Sequence, residues 1–155
     1  KKEMDYMKVD TVGKTDIKNW LKLAGEVEKL FGPMREEADF LVALEVAIGE
    51  ERAFCIRDGE AGLIAAIALS YEKNEIEWLA VASSRQKSGL GGQLLQHALQ
   101  KIDSARNISV QTFADSTVAG DSARNLYMKY GFKEFRPAGL NPAGIATVIM
   151  VRSLT

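Results

Sequence analysis

One cysteine, Cys55, and one histidine, His97, are all that this 155-residue chain has of either type. A lone cysteine closes no internal disulfide, so the fold must stand on its core. Zinc centres built from clustered Cys and His are excluded. Any Cys–His or Ser–His–Asp nucleophile scheme would depend on His97 alone. Cys55 sits in the strand-like run Ala-Phe-Cys-Ile-Arg-Asp and reads as a buried thiol. His97 lies off the apolar stripe of its segment and reads as a surface residue. The apolar stretch at 63–69 is far shorter than the roughly 20 residues of a membrane-crossing helix. The first ten residues hold no apolar signal region, so the cytoplasm is the expected location. Charge of one sign is also missing. Twenty basic and 21 acidic residues leave a net charge of −1, with no bulk attraction for nucleic acid or an anionic membrane.

What is present is a globular composition, 46% hydrophobic and 26% charged, in a length that suits one domain over residues 1–155. Residues 4–9 alternate as a first strand would. A helix follows over 15–31, capped by Thr15 or Asp16, with Ile17, Trp20, Leu21, Ala24, Val27, Leu30 and Phe31 as its apolar stripe. Gly32-Pro33 ends it. A second helix over 35–50 carries Phe40, Leu41, Leu44, Ala47 and Ile48 inward. Strands are expected at 53–58, 62–72 and 75–82, with turns at Asp58-Gly59 and Lys73-Asn74. The remainder is a helix over 90–104 (Leu94, Leu95, Ala98, Leu99 and Ile102 inward), a strand at 108–114, a short helix stopped by Gly131, and two last strands. This order describes one mixed α/β sheet of six to seven strands flanked by about four helices.

The densest signal is Arg-Gln-Lys-Ser-Gly-Leu-Gly-Gly at 85–92, where a strand turns into a helix. A dinucleotide fingerprint fails there, because Leu94 stands where its third glycine belongs. A P-loop fails at Gly13-Lys14-Thr15, because Lys8 stands where its first glycine belongs. A glycine-rich strand-to-helix turn without a ligand is the bland alternative. Physically, free N–H groups at a helix start form an anion site. A side chain at position 89 or 91 would hold a phosphate away from them, and glycine removes that obstacle. Arg85 and Lys87 add charge at the rim or are simply solvated.

Gln86-x-x-Gly89-x-Gly91, preceded by Leu79-Ala80-Val81, resembles the Q/R-x-x-G-x-G/A signature and acyl-CoA strand of the GNAT acyltransferase superfamily. Ala123-x-x-Leu126-Tyr127-x-x-x-Gly131-Phe132 resembles that family's A-x-x-[LF]-Y-x-x-x-G-F segment. The likeness is clear over residues 50–135. Two positions depart from the pattern: Gly120 stands where the family often has Asn, and Ser83 where it usually has Pro.

The resemblance implies a GNAT-like fold, acetyl-CoA as donor and direct transfer to an amine. The amine acceptor would be a small molecule or a peptide, with neither nucleic acid nor membrane as partner, and a homodimer is an expected possibility. It implies a cofactor seat made of Leu79, Ala80, Val81, Gln86, Lys87, Ser88, Gly89, Leu90, Gly91, Gly92, Ala123 and Tyr127. Leu79 and Val81 would pair with the pantetheine arm, and the Val81 N–H would polarise the thioester carbonyl. Tyr127 would act as acid or would orient the sulfur; a half-buried packing tyrosine is its alternative. Glu75 and Glu77, two apart on a strand and so on one face, are both candidates for the base, and solvated strand-end charges are theirs. Thr112 and Phe113 are expected to line the cleft. Trp20 and Trp78 are expected in the core or the pocket wall. Arg35, Glu36 and Glu37 would either select a charged substrate or be solvated. No metal is expected. Two other functions stay open: a non-catalytic acyl-CoA sensor of the same fold, and an unrelated phosphate-binding α/β protein.

Overall fold

The computed structural model describes residues 8–28, 38–59, 62–114 and 118–153. Seven strands form one sheet in the order β1-β2-β3-β4-β5-β7-β6. They are β1 (Val9–Thr11), β2 (Ala53–Asp58), β3 (Gly62–Ser70), β4 (Glu75–Val81), β5 (Ile108–Phe113), β6 (Lys133–Leu140) and β7 (Ala146–Arg152). Four α-helices accompany them among the described residues: α1 (Ile17–Glu26), α2 (Ala38–Gly49), α3 (Leu90–Lys101) and α4 (Val118–Lys129). All neighbouring strands run antiparallel except β4 and β5. Those two are the strands joined by a crossover helix, α3, as a parallel pair requires. None of the described helices is long and apolar enough to cross a membrane.

The continuous apolar run of β3 has a simple reason. Every residue from Leu63 to Ser70 is buried, so both faces of the strand are covered, and α1 and α3 pack against it. Cys55 is fully buried in β2, where burial pushes its thiol up to about 11. It is therefore an inert core residue rather than a nucleophile.

Several expectations shift. The first strand begins at Val9; the expected stretch before it lies mostly outside the described residues. Asp16 does not cap α1 with its side chain. Its carboxylate accepts from the Gly13 N–H (2.8 Å) and from Arg57 Nε (2.9 Å) and Nη2 (2.7 Å), which locks α1 to β2 instead. The stripe of α1 includes Leu23, which is buried, while Ile17 and Leu21 are only partly so. Leu30, Phe31, Gly32-Pro33 and Arg35 to Glu37 lie outside the described residues. His97 is not a free surface residue. Its ring meets Phe54 edge-on at 4.7 Å, and burial holds its pKa below the usual imidazole value.

Candidate active site

The site begins where a strand pair fails. β4 and β5 are paired only at Glu75↔Ser109 and Ile76↔Val110. Beyond that rung β4 stays on β3, and β5 stays on β7 as far as Phe113↔Thr147. The two strands part, and a cavity of about 900 Å³ fills the fork. Two local causes are visible. Opposite β4, Ala68 pairs with Trp78 but Leu69 pairs with Ile76, so Glu77 is an extra residue and the strand bulges there. On the other side, buried Arg124 of α4 donates to the Phe113 carbonyl and to Asp121 Oδ1 (2.7 Å), which ties the end of β5 to α4.

The fork leaves backbone groups of β4 without a strand partner. Ala82 N–H donates to Ile64 O (2.8 Å) on β3. By the alternation of an antiparallel strand, the N–H groups of Leu79 and Val81 therefore aim at the open edge. The Val81 carbonyl on that edge accepts from Gln86 Nε2 (2.8 Å). Gln86 thus bends the loop back onto the strand, a role for the motif glutamine that spacing alone does not reveal.

That loop delivers the start of α3 to the mouth of the cavity. Gly89, its N-cap, has φ +84° and no side-chain cap, so the first N–H groups of the helix stay open. A Cβ on Gly89 would meet nothing within 4 Å. Gly91 has a packing role besides its place in the loop. Its added Cβ would lie 3.3 Å from Leu126 Cδ2 and 3.8 Å from Val81 Cγ2, so its bareness also serves the approach of α3 to α4. Gly92 likewise faces the Tyr130 hydroxyl and Leu126. Arg85 is not simply solvated: it pairs with Asp58. Lys87, at φ +63°, lines the mouth.

The polar groups at depth differ in placement. Tyr127 is 5% exposed and lines the cavity. Burial drives its phenol pKa well above the ordinary value, so the group stays protonated and can donate a hydrogen bond. Glu77 lines the cavity and lies 3.4 Å from Arg52 Nη1. Arg52 is itself fixed by Glu50 (2.7 Å) and the Leu69 carbonyl (2.6 Å). Glu75 sits in the still-paired rung, outside the cavity lining, and burial raises its pKa. The bulge is why the two glutamates do not share one environment.

Leu79, Ala80, Val81, Gln86, Lys87, Ser88, Gly89, Leu90, Gly91, Gly92, Ala123 and Tyr127 all line this one cavity, as do Thr112 and Phe113. Trp78 forms part of its wall and stacks on the buried Trp20 with centroids 5.0 Å apart. Phe40 meets Trp78 edge-on, with centroids 6.1 Å apart. Sequence reasoning missed Gln111, Asn141, Pro142 and Thr147, which also line the cavity. The one available signal was a long polar side chain, Gln111, between the buried Val110 and Thr112 of the Ile-Ser-Val-Gln-Thr-Phe strand. No group of metal-ligating side chains occurs among the described residues.

No curated protein matches the chain in sequence. Solved structures do match in shape. Ard1 from Thermoplasma volcanium superposes with a TM-score of 0.74 at 16% identity, over 96% of this chain and 97% of that one. A chain of the NatC complex, solved with Gag peptide and CoA, gives 0.74 at 18%, over 96% and 99%. The ribosomal-protein-S18-alanine N-acetyltransferase from Escherichia coli gives 0.67 at 19%, over 97% and 95%. At these identities the likeness is one of fold. The acetyltransferase (GNAT) domain family matches residues 38–134, which spans the fork, the glycine loop and the tyrosine helix. With that match over more than half its length, the chain belongs to the GNAT acetyltransferase family.

Proposed function

We propose that this acetyltransferase moves the acetyl group of acetyl-CoA directly to a primary amine, on a small molecule or a peptide. The observation that carries this reading is the continuity between two sets of unpartnered N–H groups. Those of Leu79 and Val81 face the fork, and the uncapped start of α3 lies where the loop leaves that strand. An amide-bearing arm can add to the open edge as a strand would, and a pyrophosphate can sit on the helix start. The open space at Gly89 fits the second requirement.

The donor supplies an activated acyl group. The chain's residues must do the rest. An alkylammonium, with a pKa of about 10.4, has to lose a proton before its nitrogen can attack. Glu77, in the cavity and held by Arg52, receives that proton, directly or through water. The Val81 N–H, aimed at the open edge, stabilises charge on the carbonyl oxygen. As the new C–N bond forms and the C–S bond breaks, Tyr127 donates its proton to the leaving sulfur; the nitrogen gives up its second proton through water to the phenolate, and Glu77 returns its own to solvent. Trp78 and Phe113 give the fork an apolar wall. Calorimetry with acetyl-CoA tests the reading: binding at sub-millimolar concentration is expected, and its absence would overturn it.

A further inference from the structure

Glu77 and Gln111 hold equivalent places on the two arms of the fork. Each follows directly on the last paired rung, Ile76↔Val110, and both line the cavity. They are the rung that would come next if the strands had stayed together. One offers a carboxylate. What the other offers depends on which way its amide points, and the hydrogen bonds around it decide this. Gln111 is joined to Thr147 Oγ1 at 2.9 Å, and Thr147 Oγ1 to the Gly139 carbonyl at 2.9 Å.

The last member of that chain is a carbonyl, which cannot donate. The Thr147 hydroxyl has one hydrogen and must give it to Gly139 O. Its oxygen can then only accept from Gln111, so the amide turns its NH₂ toward Thr147. The Oε1 of Gln111 is left on the other side, and among the described residues it takes no hydrogen bond. Two acceptors, a carboxylate and a fixed amide carbonyl, thus flank the point where the fork opens.

We infer that Gln111 is an acceptor-reading residue: its Oε1 takes one N–H of the incoming amine while Glu77 takes another. A primary amine carries enough N–H groups for both and still presents its lone pair once deprotonated. An N-methyl amine has one fewer and must leave an acceptor unmatched or lose its alignment. The site is therefore built to prefer primary amines, and Thr147 is a positioning residue that keeps the amide from flipping. This inference rests on the acetyl-transfer reading above.

The test uses the full chain with acetyl-CoA. The probes are benzylamine, glycinamide and a tripeptide with a free α-amine, each beside its N-methyl analogue. Calorimetry with acetyl-CoA is run alongside. The variants are Gln111→Leu, Thr147→Val and Thr147→Ser. For the best primary acceptor, Gln111→Leu is expected to raise the amine KM roughly tenfold, the loss of one hydrogen bond to a charged group. The KM for acetyl-CoA should stay unchanged, and the primary-over-N-methyl preference should shrink by a similar factor. Thr147→Val frees the amide and should move the amine KM the same way, while Thr147→Ser restores it. Gln111 is exposed, so its variant remains informative even if buried Thr147→Val fails to fold. An unchanged amine KM and preference in Gln111→Leu would overturn the inference and leave acetyl transfer standing. A wild-type chain that neither binds acetyl-CoA nor acetylates any probe would overturn both.

Discussion

The rings of Tyr127 and Phe132 meet edge to face, 5.6 Å apart, across the turn that ends α4. Phe132 N–H returns to the Tyr127 carbonyl (3.1 Å), and Gly131 N–H to the Met128 carbonyl (3.1 Å). Gly131 has φ +94°. This is a Schellman cap, with the tyrosine three residues before the cap position and the phenylalanine two after it. The Tyr-x-x-x-Gly-Phe spacing is therefore a local folding motif as well as a family mark. A short-range contact sets the position of a phenol that faces the cavity.

Tyr127→Phe isolates the hydroxyl, because the ring and its contact with Phe132 remain. We expect turnover to fall roughly 10²-fold, the lower end for a positioned acid, with CoA affinity and thermal midpoint unchanged. Steady-state rates beside calorimetric Kd values check this. Turnover equal to wild type, with chemistry rate-limiting, would remove Tyr127 from the acid role.

Gly131→Ala tests the cap itself. An added Cβ would find only ordinary contacts with Arg152, the nearest at 3.5 Å, so space is not the difficulty. The left-handed backbone is, at about 1–2 kcal/mol for an L side chain. Urea denaturation should show that loss. Turnover should drop as well, since the same turn places Tyr127.

His97 gives a pH signature. Burial against α3's neighbours, and then the like charge of Lys101, hold its folded pKa below the usual 6.5. The unfolded chain then binds the proton more readily, so this residue's contribution to stability falls as pH drops below about 6.5. Raised Glu75 works in the opposite direction at lower pH. The difference between wild type and His97→Gln separates the two. The variant should lose less stability than wild type in denaturation midpoints measured at pH 7 and pH 5, and equal losses would contradict the assignment.

The succession of elements along the chain, the glycine loop and the tyrosine helix were legible because each depends on short-range rules: apolar periodicity, turn residues and helix capping. The acceptor end was not legible in the same way. Glu75 and Glu77 look equivalent in a period-two pattern, and only the bulge opposite Leu69 puts Glu77 in the cavity and leaves Glu75 in the paired sheet. Gln111 acquires its meaning from Thr147 and Gly139, 36 and 28 positions further along, through pairings between β5, β7 and β6. His97 was misjudged for a related reason. Its helix periodicity points it away from the core stripe, but Phe54 of β2 rises to meet it.

Two glycines that look interchangeable in the loop should respond differently. Gly91 is bare because Leu126 crowds it at 3.3 Å. Gly91→Ala sets an overpacking cost of about 1–3 kcal/mol between α3 and α4 against a gain of about 1 kcal/mol in helix propensity, and should leave a net loss of at most about 2 kcal/mol. Gly89 has open space around it but a left-handed φ of +84°. Asparagine tolerates that backbone while adding a side chain at the cavity mouth. Gly89→Asn should therefore keep near wild-type stability and weaken CoA binding, with Kd rising by at least about tenfold if the phosphates sit on the helix start. Urea midpoints and calorimetric Kd values for both variants make the comparison. If Gly89→Asn binds CoA as wild type does, the bare Cα at 89 serves only the backbone turn, and the pyrophosphate must be held elsewhere along the loop.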